Sequence, residues 1–383
     1  SAGVEFVHNL GSGLRFAETR EVLRIGSVSG PPETLLHAVL SVDLTAHRTL
    51  LVTDSWSTVR EYDSEGRLIR VFGRRGGGPG EFGNLLQAVS LSGQVVTSSA
   101  DPFRISVFSS EGEYLDAIRP PTTPPEEGML IMRSGLKVLD ERLFWFEGLL
   151  PPARESGLVQ SITRYAEVNL EKGEVAHPTL SLPGRFAGGQ GEPGPILDHR
   201  GITRVLSSDL YLVVPEQGYR LEIRSWESDL RRVVTRGFDP VPITGYDLAR
   251  FEETVLAQFT EAPGMAGMDR ETDQAMRRKP QVDFIPPIQA VDAASDGSLW
   301  VLRWDTYEEP FLRALGFEMG PEEGFQWPRS VYDHFDTAGR YRGSVQLPHR
   351  FSPRFWGPDF VIGVERNELD VEFLVRLAIH WPV

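Results

Sequence analysis

Three sets of residues in this 383-residue chain have the types needed for chemistry: a glycine run, eight histidines and a scatter of carboxylates. Consecutive backbone N–H groups, as in Gly73-Arg-Arg-Gly-Gly-Gly-Pro-Gly80, can cradle an anion. A nucleotide-binding loop of that kind ends in Lys-Ser or Lys-Thr and opens a helix. This run ends in Glu81-Phe82 and lies between β-rich stretches, so it reads as a turn, with Arg74 and Arg75 pairing to surface carboxylates. His8, His37, His47, His177, His199, His334, His349 and His380 are isolated, with no pair two or four residues apart. Zinc needs about three or four protein ligands, which such histidines supply only if different parts of the chain converge. Asp198-His199 and His349-Arg350 read more simply as surface residues. No Gly-x-Ser-x-Gly elbow presents a serine nucleophile. With no cysteine, thiol chemistry, disulfides and iron–sulfur ligation are excluded together.

Composition narrows the choice further. Hydrophobic residues make up 40% of the chain and aromatics 10%, enough for a substantial core. No run of about 18 apolar residues, as a membrane-spanning helix needs, occurs, and the nearest approach, Val375 to Val383, is far too short. A net charge of −15 argues against nucleic acid, whose binders cluster cations to displace phosphate counterions. Lysine occurs only at Lys137, Lys172 and Lys279, so nearly all cations are arginine, which suits carboxylate pairing better than amine catalysis. A GC-rich bacterial genome gives the same bias. The sequence opens at Ser1 without Met or an apolar leader, as expected of a processed or trimmed chain. The processed case implies export, and a lipid-anchored cysteine just upstream would fit it.

The elements that position these residues come from an internal repeat. Leu50-Leu-Val-Thr-Asp54, Val59-Arg-Glu-Tyr-Asp63 and Gly66-Arg-Leu-Ile-Arg-Val-Phe-Gly73 are three short β-rich runs separated by turn signals. The pattern recurs as Gln94-Val-Val-Thr97 with Asp101, Arg104-Ile-Ser-Val-Phe108 and Gly112-Glu-Tyr-Leu-Asp-Ala-Ile118, placing Gly66 and Gly112 in one phase, 46 residues apart. Such alternating strands cannot bury both faces without a neighbour on each side, and stacked blades provide one. Looser copies lie at Leu136 to Phe146 with Ile162 to Val175, and at Ile202 to Val214 with Arg220 to Val234. A sharper one runs from Pro287-Ile-Gln-Ala-Val-Asp-Ala-Ala-Ser-Asp-Gly-Ser-Leu-Trp-Val301 to Tyr332-Asp-His-Phe-Asp-Thr-Ala-Gly339 and Tyr341 to Leu347, with Asp292 to Gly297 as a hairpin turn rather than a calcium loop.

The segment Phe72 to Phe82, the motif spacing from Ile25 to Ile118 and the Leu299-Trp-Val301 phrase resemble the repeats of bacterial NHL-repeat β-propellers. The resemblance implies an all-β, six-bladed propeller. Val22 to Gly26 reads as an outermost strand with no blade before it, and Asp359 to Gly363 with Val371 to Ala378 as inner strands with no outermost strand after them. The two fragments complete one another as a sixth blade closed by strands from both termini, which removes exposed sheet edges. The expected organisation is therefore one propeller domain over residues 1–383, interrupted at 119–128, 183–195, 239–285 and 305–326. In the third interruption Thr244 and Asp247 form a capping box, and Leu248, Phe251, Val255, Leu256 and Phe259 recur at helical spacing, predicting a helical insertion within 244–279. Its apolar stripe would pack on the propeller itself or on a partner.

Six-bladed propellers include calcium-dependent hydrolases such as gluconolactonases and paraoxonases, with axial Glu, Asn and Asp ligands, and zinc-dependent amidating lyases. Of the asparagines Asn9, Asn84, Asn169 and Asn367, only Asn84 falls where it could face the axis. No catalytic, cofactor-binding or metal-binding residue is assigned, and no cofactor is expected. Tryptophans such as Trp56, Trp145, Trp300, Trp304, Trp327 and Trp356 read as wedges between blades more than as a pocket lining. The function expected is a non-enzymatic, protein-binding propeller, periplasmic or otherwise extracytoplasmic, serving as an accessory or scaffold subunit of a membrane-associated complex. The alternatives are a metal-dependent (calcium or zinc) hydrolase or lyase, and a small-ligand or glycan sensor. Insertions, rather than the axial channel, are where function is expected.

Overall fold

The computed structural model describes residues 3–30, 34–100, 103–120, 130–150, 158–188, 201–215, 218–244, 284–304 and 330–382. Apart from two two-stranded ribbons, their strands form six sheets arranged as a six-bladed β-propeller. From the axis outward, blade 1 comprises Ser41–Leu44, Leu50–Thr53, Val59–Tyr62 and Leu68–Phe72. Blade 2 comprises Asn84–Leu91, Gln94–Ala100, Arg104–Phe108 and Tyr114–Ile118. Blade 3 comprises Leu130–Leu139, Arg142–Leu150 and Leu158–Asn169, whose outer side pairs with both Glu174–Val175 and Leu180–Gly188. Blade 4 comprises Ile202–Val205, Leu210–Val214, Arg220–Ser225 and Leu230–Arg236. Blade 5 comprises Ile288–Ala293, Leu299–Arg303, Val331–Phe335 and Tyr341–Gln346. Blade 6 comprises Phe351–Trp356, Phe360–Arg366, Glu372–His380 and, from the other end of the chain, Glu18–Ile25.

Strand alternation explains how this packs. Leu50 and Val52 face blade 6 while Leu51 between them faces blade 2. In blade 5, Leu299 and Val301 face blade 4, and Trp300 and Leu302 face blade 6. Each strand thus feeds two interfaces, and each of the six junctions between neighbouring blades carries its own apolar cluster. The turns follow the repeat as read from the sequence: Gly66 and Gly112 both take positive φ (+81° and +85°). A side chain at Gly112 would also collide with Phe72 of the preceding blade.

Ring closure matches the expectation, with more strand than the sequence suggested. Glu18–Ile25 pairs antiparallel with Glu372–His380, from Glu18↔His380 to Ile25↔Leu374. The reading of Asp359 to Gly363 and Val371 to Ala378 as the inner strands misses Phe351–Trp356, whose central Pro353 sits at a register break. The interruption expected to start at Pro183 is also displaced. Leu180–Gly188 is a strand with Leu180 and Leu182 buried, and Pro183 pairs with Ile162 beside a bulge, where a missing N–H is tolerated. The helical insertion of 244–279, apart from Thr244, lies outside the described residues, as do 121–129, 189–195 and 305–326. The base of that third insertion is described: Val241–Pro242 pairs with Phe284–Ile285 as a two-stranded ribbon.

One element was not anticipated. Glu5–Asn9 adds to blade 4 as a fifth strand, parallel to Leu230–Arg236. The chain then touches the outer edge of blade 5, where Ser344 exchanges backbone hydrogen bonds with Arg15 and Ala17 (2.8 Å each), before entering blade 6. Residues 5–25 are therefore an arm along the rim of blades 4, 5 and 6.

Two predictions follow from the packing. Trp300 is fully buried and stacks on Trp356 at 4.4 Å and His334 at 4.2 Å. Trp300→Ala should lower unfolding free energy by about 3–5 kcal/mol in denaturant titration. Removing residues 1–25 should leave the Glu372–His380 edge unpaired and produce concentration-dependent aggregation in light scattering. A monomeric truncation with an unchanged melting temperature would contradict the closure.

Candidate functional site

An innermost strand has a second strand on one side and the axis on the other, so its inward N–H groups need partners. Side chains of the preceding blade supply several. Ser41 Oγ accepts from Ala88 N (3.2 Å), Asp43 Oδ2 from Ser90 N (2.7 Å) and Gln87 Oε1 from Leu136 N (2.9 Å). Further round, Arg204 of blade 4 forms an ion pair with Asp292 of blade 5. Polar side chains thus stand on the innermost strands of five consecutive blades, around the axis: Asp43, Gln87, Lys137, Arg204 and Asp292.

Their protonation is altered by where they sit. Burial raises the Asp43 carboxyl to about 6, against the pull of N–H donors from Ser90 and Leu44. Burial lowers the Lys137 ammonium to about 7, helped by the charge of Arg204 and opposed by that of Asp292. Water still reaches both side chains, which are half-buried. Among the described residues no three His, Asp or Glu side chains converge as a metal site. The axial donor set also suits a divalent cation poorly, because two cations stand beside two carboxylates and calcium takes about six to eight oxygens. Asn84 is exposed at the start of its strand.

The glycine turn contains its own anion. Glu81 Oε2 accepts from Gly78 N (2.8 Å), and Glu81 Oε1 pairs with Arg74 Nη2 (2.6 Å). The Gly78 N–H and then Arg74 hold the Glu81 carboxyl below its ordinary range. Arg75 makes no ion pair among the described residues. The turn packs into the blade 1–blade 2 junction through Phe82, which is fully buried.

Two buried polar groups were not read from the sequence. Asp333, fully buried in blade 5, accepts from Tyr219 Oη (2.7 Å) and Ser344 Oγ (2.5 Å) and lies 3.4 Å from Arg236 and 3.5 Å from Arg303. Arg236 also donates to the carbonyl of Gly13 (2.8 Å), joining this cluster to the N-terminal arm. Next to Asp333, His334 is 3% exposed and lies between Trp300 and Trp381, at 4.2 and 5.0 Å, with neither ring nitrogen hydrogen-bonded. Burial, then the charge of Arg342, lowers its imidazole to about 4. Both clusters draw partners from distant sequence, so spacing carried no sign of them.

The tryptophan expectation holds with one correction. Trp145, Trp300, Trp304 and Trp356 are buried, but Trp56 is 42% exposed, lying over Arg60 at 4.9 Å and stacked against His37 at 6.2 Å. It occupies a loop between strands, beyond the reach of a blade interface. Trp327 and His199 lie outside the described residues, and His349 is exposed. The turns of blades 1, 2 and 3 border a groove of about 290 Å³ lined by His47, Glu61, Arg70 and Glu141, among others.

No family model matches the chain, and no curated protein matches it. Solved structures do. A member of the DUF4221 family from Bacteroides vulgatus shares 11% identity, with 96% of this chain and 99% of that one covered, at a TM-score of 0.54. An exported protein of Bacteroides fragilis shares 10% identity over 98% of this chain and 99% of that one, at a TM-score of 0.49. BamB from Moraxella catarrhalis shares 10% identity over 96% of this chain and 100% of that one, at 0.36. At these identities the first supports the fold alone, and the other two are too distant to carry an argument. No described helix is long and apolar enough to cross a membrane.

His334 generates a pH prediction. Its folded value, about 4, lies below its unfolded value, 6.5, so the unfolded chain binds the extra proton between them. Stability should therefore be full above pH 6.5 and fall as pH drops toward 4, by about 3 kcal/mol from this residue. His334→Phe, which keeps an aromatic ring in the stack, should remove that part of the slope in denaturant titrations between those pH values.

Proposed function

We propose that this chain is a non-enzymatic, protein-binding propeller of the NHL-repeat kind, one domain over residues 1–383, that works outside the cytoplasm as an accessory or scaffold subunit of a membrane-associated complex. One observation carries the reading: the rim is unequally covered. The N-terminal arm runs along blades 4, 5 and 6, whereas the outermost strands of blades 1 and 2, Leu68–Phe72 and Tyr114–Ile118, are each paired on one side only among the described residues. They also present apolar side chains to solvent. Ile69, Val71 and Leu115 are each about half exposed. An unpaired edge that carries apolar side chains suits docking by strand addition, in which backbone bonds give affinity and alternate side chains give specificity.

The metal-dependent hydrolase is less well supported, because Lys137 and Arg204 bring positive charge into the channel where such enzymes gather carboxylates. The test places photo-crosslinking residues at 69, 71 and 115 of the native chain, with position 172 as a control on an exposed turn. One protein should be captured at the three rim positions, in an extracytoplasmic fraction, and not at the control. Ile69→Glu with Leu115→Glu should abolish its co-purification while shifting stability by no more than about 0.5 kcal/mol, as expected of exposed sites. A native chain that runs alone after gentle extraction, with no rim crosslink, would overturn the proposal.

A further inference from the structure

Two loops meet at the end of blade 1 where its innermost strand begins. Residues 35–40 lead into Ser41–Leu44, and residues 54–58 join Leu50–Thr53 to Val59–Tyr62. Buried Arg60 ties them together, donating to the carbonyl of Leu35 (2.5 Å) and pairing with Asp54 (3.4 Å). Ser55 N donates to the carbonyl of His37 (3.2 Å). Asp54 shapes the second loop, accepting from Trp56 N at Oδ1 (3.1 Å) and from Ser57 N at its carbonyl (3.1 Å). Each loop holds a non-glycine residue in the left-handed region, Ala38 at φ +48° and Ser57 at φ +61°. Such conformations are costly and persist where the surroundings enforce them, as they do at functional sites.

The loops set a serine hydroxyl against an imidazole. Ser55 Oγ lies 2.7 Å from Nδ1 of His37, and both side chains are exposed, so a reactant can reach them. Ser55 Oγ also lies 3.1 Å from the His37 carbonyl. With the ring proton on Nδ1, the imidazole donates and the hydroxyl turns to that carbonyl; with it on Nε2, Nδ1 accepts the hydroxyl proton. The second arrangement is that of a nucleophile beside its base. Trp56 lies nearly parallel to the imidazole (6.2 Å, 8°) and is 42% exposed, so an apolar surface adjoins the hydroxyl. Thr53-Asp-Ser-Trp-Ser57 has no glycine to mark a nucleophile elbow, and His37 is 18 residues away, so spacing gave no sign of the pair.

We infer that Ser55 is a nucleophile activated by His37, and that it takes the acyl group of carboxylic esters whose apolar part rests on Trp56. Ser55 Oγ bonds to the ester carbonyl carbon, its proton passes to His37 Nδ1, and the alcohol leaves with that proton. Water then attacks the acyl-serine with His37 again as base, releasing the acid and restoring the hydroxyl. The site is separate from the rim strands proposed above for a protein partner, and neither reading rests on the other.

Diisopropyl fluorophosphate provides the first probe, because a serine oxygen bonds to its phosphorus, fluoride leaves, and the adduct is stable enough for peptide mapping to locate. On the native chain Ser55 should be modified roughly a hundredfold faster than Ser92, an exposed serine on a turn, the low end of what a positioned general base supplies. His37→Gln should bring Ser55 down to the rate of Ser92, and Ser55→Ala should remove the adduct at that position. The native chain should also release nitrophenolate from para-nitrophenyl butyrate, prior labelling should abolish the release, and Trp56→Ala should raise KM more than it lowers kcat. Ser55 modified no faster than Ser92, no nitrophenolate release, or release that labelling leaves intact would overturn the inference. The ratio of Ser55 to Ser92 is measured on the native chain, so it decides the matter even if His37→Gln fails to fold.

Discussion

Every blade has two apolar faces, and neither is dry unless a neighbour lies on each side. That requirement makes closure of the ring the condition for the rest of the structure. Five blades can stack in chain order, but the first face of blade 1 and the last face of blade 5 remain wet until blade 6 fills the gap. Blade 6 does so with three strands from one end of the chain and one from the other, Glu18–Ile25 on Glu372–His380. The cluster between blades 6 and 1 includes Ile25 of that strand and joins residues from both ends of the chain. A contact between residues more than 300 positions apart is entropically expensive to make first, so closure is expected to come last in folding.

The N-terminal arm reinforces the same part of the ring. Besides its backbone pairing, the arm has an electrostatic anchor, because Arg236 reaches both Asp333 in blade 5 and the carbonyl of Gly13 in the arm. Removing a carboxylate like Asp333 from water is costly, and only good geometry offsets it. Here Tyr219, Ser344, Arg236 and Arg303 surround it, drawn from both blades at that junction. Beside it, His334 gains stacking on two indoles and forfeits its hydrogen bonds, which keeps it neutral. The polar cluster therefore locks the junction of blades 4 and 5 and the aromatic stack that of blades 5 and 6, while the junction of blades 3 and 4 packs Leu180, Leu182 and Val205 with Phe144 and Tyr211.

Different parts of the ring have different chemistry. The axis is charged, with side chains from the innermost strands of blades 1, 2 and 4 bonded to the blade ahead. The rim of blades 1 and 2, which the arm does not reach, presents Ile69, Val71 and Leu115 to solvent. The glycine turn that looked most like a ligand loop is closed by Glu81, whose carboxylate occupies the position an anion would take. The first candidate for chemistry is thus structural.

The sequence by itself determined the blades, because two-residue alternation, the Gly66 and Gly112 turns and the Leu299-Trp-Val301 phrase are local and repeat. It also determined closure, since Val22 to Gly26 had no local partner and the C-terminal strands lacked one. Where local signals conflicted with context, reading failed: Pro183 looked like a break, yet a bulge at the sheet edge accommodates it. The fifth strand of blade 4, the Asp333 cluster, the His334 stack and the Arg204–Asp292 pair were decided only by tertiary structure. Each joins side chains or strands from different blades, and the spacing of such residues along the chain reflects loop length rather than proximity. Ring geometry brings them together, and that geometry exists only once all six junctions have formed.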